Sequence, residues 1–409
     1  MLLNIPDFIN NDDYLQGPVI KKFCNNNNLK VCNTRPDGLK QISDFADTSE
    51  DNMKKVEMWI DKVIKEGSKE LCYKEINFIP EEFFYKKNIE EKLKEKYKDC
   101  TFDRVVTYKN SNNRRLINYE IFEDDGKVEM VSFCFSSFVL VKNEEGETPT
   151  RTVYPIFVDL YFKERYIVSR AKSKSTIYEY MEDAKDVDDL RCGTRINTEE
   201  CAVECIDEIL NAVGLKCEED SKRVINRNSH ILYELYQRFT FTPKEVTEKI
   251  SAIQNFSNEF INKLFNTYKL DIKNKEMAVV DLNIFVEKYI SINGENSKLF
   301  KEGREAYLIK VGANDELDLT SIDAKSNRRV PLQTKPAFFD SKKSVLTGEK
   351  CKKLTLCFKR RQPKYFGREP IEVQFYSKKK YGVIKFMLYA EEEDIVNVLQ
   401  YFFESSRRY

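Results

Sequence analysis

Between Ala324 and Lys385 the chain carries eighteen Lys or Arg and only four Asp or Glu. The formal charge of the whole chain is zero, so the remaining residues carry −14. Amines and guanidinium groups at this density suit phosphate. Each one that neutralises a phosphate releases a counterion, and Arg can chelate two phosphate oxygens. The candidate phosphate contacts are Lys352, Lys353, Lys359, Arg360, Arg361, Lys364, Arg368, Lys378, Lys379 and Lys380. Tyr365 and Phe366 lie between Lys364 and Arg368 and are candidates for stacking on unpaired bases. The implied partner is DNA or RNA, bound without strong sequence preference, because no helix-turn-helix or zinc-finger spacing is present to read a groove. A smaller basic run, Lys163, Arg165, Arg170, Lys172 and Lys174, either extends that surface or stands solvated. Two other readings stay open. Lys at strand ends and hairpin tips guards sheet edges. The acidic remainder of the chain can also meet the basic segment internally, in a homo-oligomer or on a protein partner.

Catalytic chemistry has thinner support. Asp318 or Asp323, followed by Gln333-Thr334-Lys335, places a carboxylate ahead of an amide and an amine two apart. Carboxylates in such a pattern hold Mg²⁺, and the Lys orients water or stabilises charge. The stretch resembles the degenerate PD-(D/E)xK nuclease pattern over fewer than twenty residues. Pro331 and Pro336 bracket it, which opposes a central strand. A metal-dependent nuclease is therefore the alternative reading, and an exposed loop is the other. Cys201 and Cys205 are one helical turn apart, with Cys192 and Cys217 nearby. Structural zinc favours C-x-x-C knuckles, and none is present, so these thiols read as half-buried small hydrophobes. His230 is the only histidine. It removes any two-His metal site and confines Ser-His or Cys-His chemistry to its own neighbourhood, where a helix start is expected.

Glycine is sparse, at 13 residues, and no two lie close enough to write G-x-G-x-x-G or G-x-x-x-x-G-K. Loops that cradle phosphates need such spacing, so Rossmann and P-loop chemistry is excluded and no cofactor is implied. No apolar run approaches the length of a membrane span. The N-terminus lacks a basic leader with an apolar h-region, and eleven cysteines scattered over 409 residues read as reduced thiols, so a cytoplasmic setting is expected. Abundant Lys, Asn, Ile, Phe and Tyr fit an AT-rich genome. We expect a component of a bacterial or phage defence or DNA-processing assembly, or a non-enzymatic scaffold.

The elements that must position these residues read as α+β. Residues 1–101 combine an Asn/Asp-rich loop (Asn10–Asn52) with helices at Met53–Lys65 and from Pro80 to about Lys98. Residues 102–174 form an antiparallel β-meander. Its strands cover Arg104–Tyr108, Leu116–Phe122, Val128–Leu140, Thr152–Tyr161 and Arg165–Ser169, with turns at Asp124-Asp125-Gly126 and Glu144-Glu145-Gly146. Residues 175–295 form a helical region. There Asn197 and Glu200 suggest a capping box, Gly214 a helix end, and Thr242-Pro243 a helix start. Residues 304–409 form a basic antiparallel sheet closed by a helix over Glu391–Phe403. Antiparallel pairing of 353–359 with 371–376 places Lys352 and Lys353 beside Lys378–Lys380, and Lys359–Arg361 at the opposite end.

Overall fold

The computed structural model describes residues 9, 14–30, 33–108, 111–141, 149–173, 177–180, 194–292, 298–314, 321–327, 330–362 and 369–408. The architecture is α+β, with ten helices and eleven strands among these residues. The chain forms two compact units. Unit 1 comprises Met1–Ser221, Arg360–Glu369 and Lys380–Asn397; unit 2 comprises Lys222–Lys359, Pro370–Lys379 and Val398–Tyr409.

The sheet of unit 1 has the order β2-β3-β4-β5-β1-β11. Its strands are β1 (Lys69–Glu75), β2 (Arg115–Asp124), β3 (Lys127–Val141), β4 (Thr150–Tyr161), β5 (Tyr166–Lys172) and β11 (Gly382–Phe386). The short β6 (Ile177–Glu179) also pairs with β3, and all these pairings are antiparallel. The central strands β4 and β5 are buried on both faces, so apolar residues run almost continuously along them. Helices α1 (Gly17–Asn26), α2 (Arg35–Ala46) and α3 (Glu50–Lys65) cover one face, where Ile20, Phe23, Ile60 and Ile64 share a core with Val153 and Phe157. Helix α4 (Lys86–Lys96) packs on α5 (Thr198–Val213), and α5 packs on β1 and β5. Residues alternate along a strand, so the face that α5 covers is the other one.

Several local readings hold. The Asn197 side chain caps α5 by accepting from the Glu199 N–H, and Gly214 ends it at φ +76°. Others change. The Asn-rich segment 10–52, expected as loop, contains α1 and α2. Thr34 caps α2 through the Asp37 N–H, and each helix buries a short stripe, such as Val19, Ile20, Phe23 and Cys24. Scattered polar residues obscured those stripes. Arg104–Tyr108 is a turn rather than a strand, closed by the Thr107 and Tyr108 N–H groups on the Arg104 carbonyl. The Glu144-Glu145-Gly146 turn lies outside the described residues.

In unit 2 the strand order is β10-β9-β7-β8. These are β7 (Ala306–Asn314), β8 (Ser321–Lys325), β9 (Lys353–Phe358) and β10 (Ile371–Ser377), again antiparallel. Helix α6 (Ser221–Thr240) joins them through Phe239, which meets Phe358 of β9 edge-on. Its C-terminal end is held by Arg304, whose guanidinium donates to the Phe239 and Phe241 carbonyls at 2.9 and 2.6 Å. A cation there completes the orphan carbonyls of a helix end. Helices α7 (Lys244–Tyr268) and α8 (Lys275–Ser291) form a hairpin. Thr242 does not cap α7; its hydroxyl donates to Glu287 of α8 at 2.7 Å. Helix α9 (Pro336–Gly348), a stretch for which the sequence predicts no element, opens on Pro336. Helix α10 (Glu392–Ser406) has its first turns in unit 1 and its remainder in unit 2.

The first turn of α10 organises the polar core of unit 1. Arg170 of β5 is buried between Asp159 of β4, at 2.8 Å, and both oxygens of Glu392, at 2.8 and 2.7 Å. Ser132 donates to the other Asp159 oxygen at 2.7 Å. Lys22 pairs with Glu391, Lys62 with Glu393 at 2.9 Å, and Arg360 with Asp394 at 3.7 Å. Glu66 accepts from the Tyr389 hydroxyl at 2.9 Å and from the Glu392 N–H at 3.2 Å. Burial pushes its carboxyl up from 4.5 to about 7, despite these two hydrogen bonds.

Two outcomes follow from this network. Arg170→Leu leaves Asp159 and Glu392 without their shared cation, and we expect a loss of about 3–5 kcal/mol in chemical denaturation. A loss below about 1 kcal/mol would remove the network from its central place. The folded pKa of Glu66 lies above its unfolded value, so the folded state holds the extra proton. Its contribution to stability is full below the unfolded pKa and falls as pH rises from about 4.5 to about 7, by up to about 3 kcal/mol. Glu66→Gln keeps an acceptor for the Glu392 N–H and should flatten the decline of melting temperature over this range. Superimposable wild-type and variant profiles would contradict the assignment.

Candidate nucleic-acid interface

The basic segment divides between the two units. Lys350, Lys352 and Lys353 lead into β9, and Lys378 and Lys379 follow β10, all in unit 2. Antiparallel register puts Tyr376 opposite Lys353, and the Ser377 N–H donates to the Lys352 carbonyl at 3.0 Å. The expected gathering of Lys352 and Lys353 with Lys378 and Lys379 at one end of the sheet is therefore present. Cys351 is fully buried, and this makes the run Lys350-Cys351-Lys352-Lys353 project its lysines outward on either side.

A third segment reaches the same place. The Cys351 N–H donates to the Ser229 carbonyl of α6 at 2.9 Å. The Ser377 hydroxyl donates to the Ile225 carbonyl at 3.2 Å and lies 3.2 Å from the Ser229 hydroxyl. Ser377 is thus a junction of α6, the β9 entry and the β10 exit. The first turns of α6 carry Lys222, Arg223 and Arg227, with Lys222 and Arg223 exposed. Arg223 and Arg227 are four apart and share a helix face. The exposed N-terminal end of a helix adds partial positive charge of the same sign. The three segments that meet here carry eight cationic side chains, and Glu349 is the one acid within them. The acids Glu218, Glu219 and Asp220 precede α6 in the chain. The α6 contribution was readable as Lys222-Arg223 and Arg227 around the start of an apolar stripe (Val224, Ile231, Leu235), but only contact shows that the helix meets the lysine-bearing segments.

The other candidate residues lie elsewhere. Lys359 is exposed at the opposite end of β9, where its N–H donates to the Glu305 carbonyl at 2.8 Å. The Arg360 side chain is buried in unit 1 and donates to the Glu369 and Tyr389 carbonyls at 3.2 and 2.9 Å. The Arg361 N–H donates to Asp394 at 2.8 Å and its guanidinium to Asn397. Both arginines therefore hold the start of α10. Lys385 pairs with Glu70 in the same unit. Lys380 is exposed in unit 1. Lys364, Tyr365, Phe366 and Arg368 lie outside the described residues.

The smaller basic run does not form one surface. Arg170 is buried in the network above, and Lys172 sits 3.9 Å from the Tyr14 ring centroid. Arg165 pairs with Glu75 at 3.6 Å, Lys163 is exposed, and Lys174 lies outside the described residues.

Of the nuclease-like residues that are described, Asp323 and Gln333 are engaged elsewhere. Asp323 is exposed and pairs with Lys310 at 3.1 Å, whereas Gln333 is buried with its amide on the Thr240 carbonyl at 3.1 Å. Lys335 is exposed at the start of α9, and Asp318 lies outside the described residues. Cys201 accepts from Arg114 at 3.1 Å and Cys205 is fully buried; burial pushes both thiols up, which opposes the thiolate a metal requires. Cys217 forms an isolated bridge with Ile76, and Cys192 lies outside the described residues. His230, expected near a helix start, lies midway along α6 with Nε2 3.8 Å from Glu234. The apolar stripe of α6 begins earlier, at Val224, and places the helix start at Ser221. Among the described residues no group of three or more His, Cys, Asp or Glu is arranged to hold a metal ion, and no helix is long and apolar enough to cross a membrane.

No protein family, characterised protein or solved structure gives a match to this chain.

Proposed function

We propose that the chain binds nucleic acid through the phosphate backbone, using the face of unit 2 built from α6, the β9 entry and the β10 exit. The observation that carries this reading is the junction at Ser377, which joins the cationic ends of two neighbouring strands to a cationic helix start more than a hundred residues earlier in the sequence. Lysines that serve only to guard a sheet edge need no cationic helix beside them. A surface of exposed, mostly lysine charge suits phosphates at several spacings, so the binding is sequence-tolerant. Arg360 and Arg361 fall outside this face. With five neighbouring lysines and three positive charges from α6, a footprint of several phosphates is within reach. A DNA-processing or defence assembly is the setting proposed for it, on composition alone.

Fluorescence anisotropy with single- and double-stranded DNA and with RNA tests the reading. Affinity should fall steeply with salt, and the log–log slope should shrink by about one for each phosphate contact removed. Lys352→Glu, Lys353→Glu, Lys378→Glu and Lys379→Glu together should abolish binding, and Arg223→Glu with Arg227→Glu should weaken it by tenfold or more. Lys359→Glu, at the far end of β9, should change little. No binding to any of the three at low salt, or full binding by the quadruple variant, would sink the proposal.

A further inference from the structure

The α7–α8 hairpin of unit 2 is apolar where soluble helices are polar. Phe256, Tyr268, Ile272, Met277, Phe285 and Tyr289 are each between 52% and 80% exposed. Only Glu287 and Ser291 of α8 are buried, although Val, Ile, Leu, Met and Phe occur on every side of it. A helix that is apolar all round belongs in an interior. The hairpin is not a loosely attached segment. Lys343 pairs with Asp281 at 2.8 Å, Lys288 with Asp340 at 2.6 Å, and Lys342 with Glu287, so α8 is fixed to α9.

The exposed aromatics are ordered. Phe256 and Phe260 lie one turn apart on α7. Phe285 and Tyr289 lie one turn apart on α8, with ring centroids 4.8 Å apart. The connection falls between the C-terminal end of α7 and the N-terminal end of α8, so these four rings stand at one level of the hairpin. The six most exposed residues offer apolar area on the order of 800 Å². Summed over the hairpin, that matches the share each partner gives to a stable interface, about 800 Å².

Charge selects the occupant. Residues 244–291 carry seven Lys and seven Asp or Glu, and no Arg. A neutral arm gives no field to attract a polyanion, and it lacks the cationic face of a helix that lies on a membrane. It also imposes no repulsion on a second copy of itself. We propose that two chains associate through their α7–α8 hairpins, which pair about a twofold axis into a four-helix bundle. The contact is isologous: the same aromatics bury against each other from both sides. The paired chains would then present two phosphate-binding faces, and a long polyanion meeting both gains avidity. The association itself does not depend on nucleic acid binding.

Light scattering coupled to gel filtration of the full chain, free of nucleic acid, tests this. The wild type should elute at twice 48.3 kDa. Phe256→Glu combined with Phe285→Glu should elute at 48.3 kDa. Because both side chains are exposed, circular dichroism and the melting temperature should be retained. Phe285→Ser with Tyr289→Ser is a second variant that introduces no charge, and it should weaken the dimer at least tenfold. A wild type that remains at the single-chain mass at high micromolar concentration overturns the proposal and points the hairpin at another protein. A dimer that persists unchanged in either folded variant overturns it as well.

Discussion

Four consecutive acids, Glu391 to Asp394, open α10, and unit 1 is arranged around them. Acids at a helix N-terminus are favoured by the dipole. Here each also takes a cation from a different element: Lys22 from α1, Arg170 from β5, Lys62 from α3, and Arg360 from the segment before β10. Asp394 further accepts from the backbone of Glu391 and Arg361, so the helix start is tied on both sides. The arrangement brings buried charge with it. Glu66 is held against the same turn with its carboxyl pushed up by burial, and fully buried Lys69 is held well below its ordinary value for the same reason. Such groups are tolerated because their hydrogen bonds are made: Lys69 donates to the Ile64 carbonyl at 2.7 Å and faces the Tyr14 ring.

This constraint sorts the positive charge of the chain. Arg360 and Arg361 are indistinguishable by sequence from the lysines around them, yet they hold α10. Lys385 is likewise matched by Glu70, which also accepts from Ser173 at 2.6 Å. The lysines of unit 2 stand at a sheet end that α6 reinforces with further positive charge. One run of basic residues is therefore divided. Part of it cements a fold, and part of it stands exposed at a sheet end.

Much of the fold was legible locally. The meander follows from alternating Val, Ile, Phe and Tyr with turn residues at Asp124-Asp125-Gly126, and Asp125 and Gly126 do adopt positive φ. The limits of α5 were readable from Asn197 and Gly214, because capping is a contact between near neighbours. The helices over 17–46 were not legible. Their stripes are short, and only the apolar face of β2 and β4 gives Phe23 or Ile42 a place to be buried. Pro331 and Pro336 oppose a central strand between them, and none forms there, but the helix that Pro336 opens was not legible, because proline stops a helix or starts one.

By itself the sequence determined the α+β class, the antiparallel meander, the concentration of positive charge toward the C-terminus and the absence of glycine-rich phosphate loops. These depend on residue type and on spacings of a few residues. Only the tertiary structure decided which cations are drawn into the polar core and which stand exposed. Arg170 meets Glu392 across 222 residues, and Lys22 meets Glu391 across 369. Coulomb energy depends on distance and burial, not on separation along the chain. The same holds for α6, whose basic turns join the lysines of β9 and β10 through Ser377, a contact no spacing in the sequence announces.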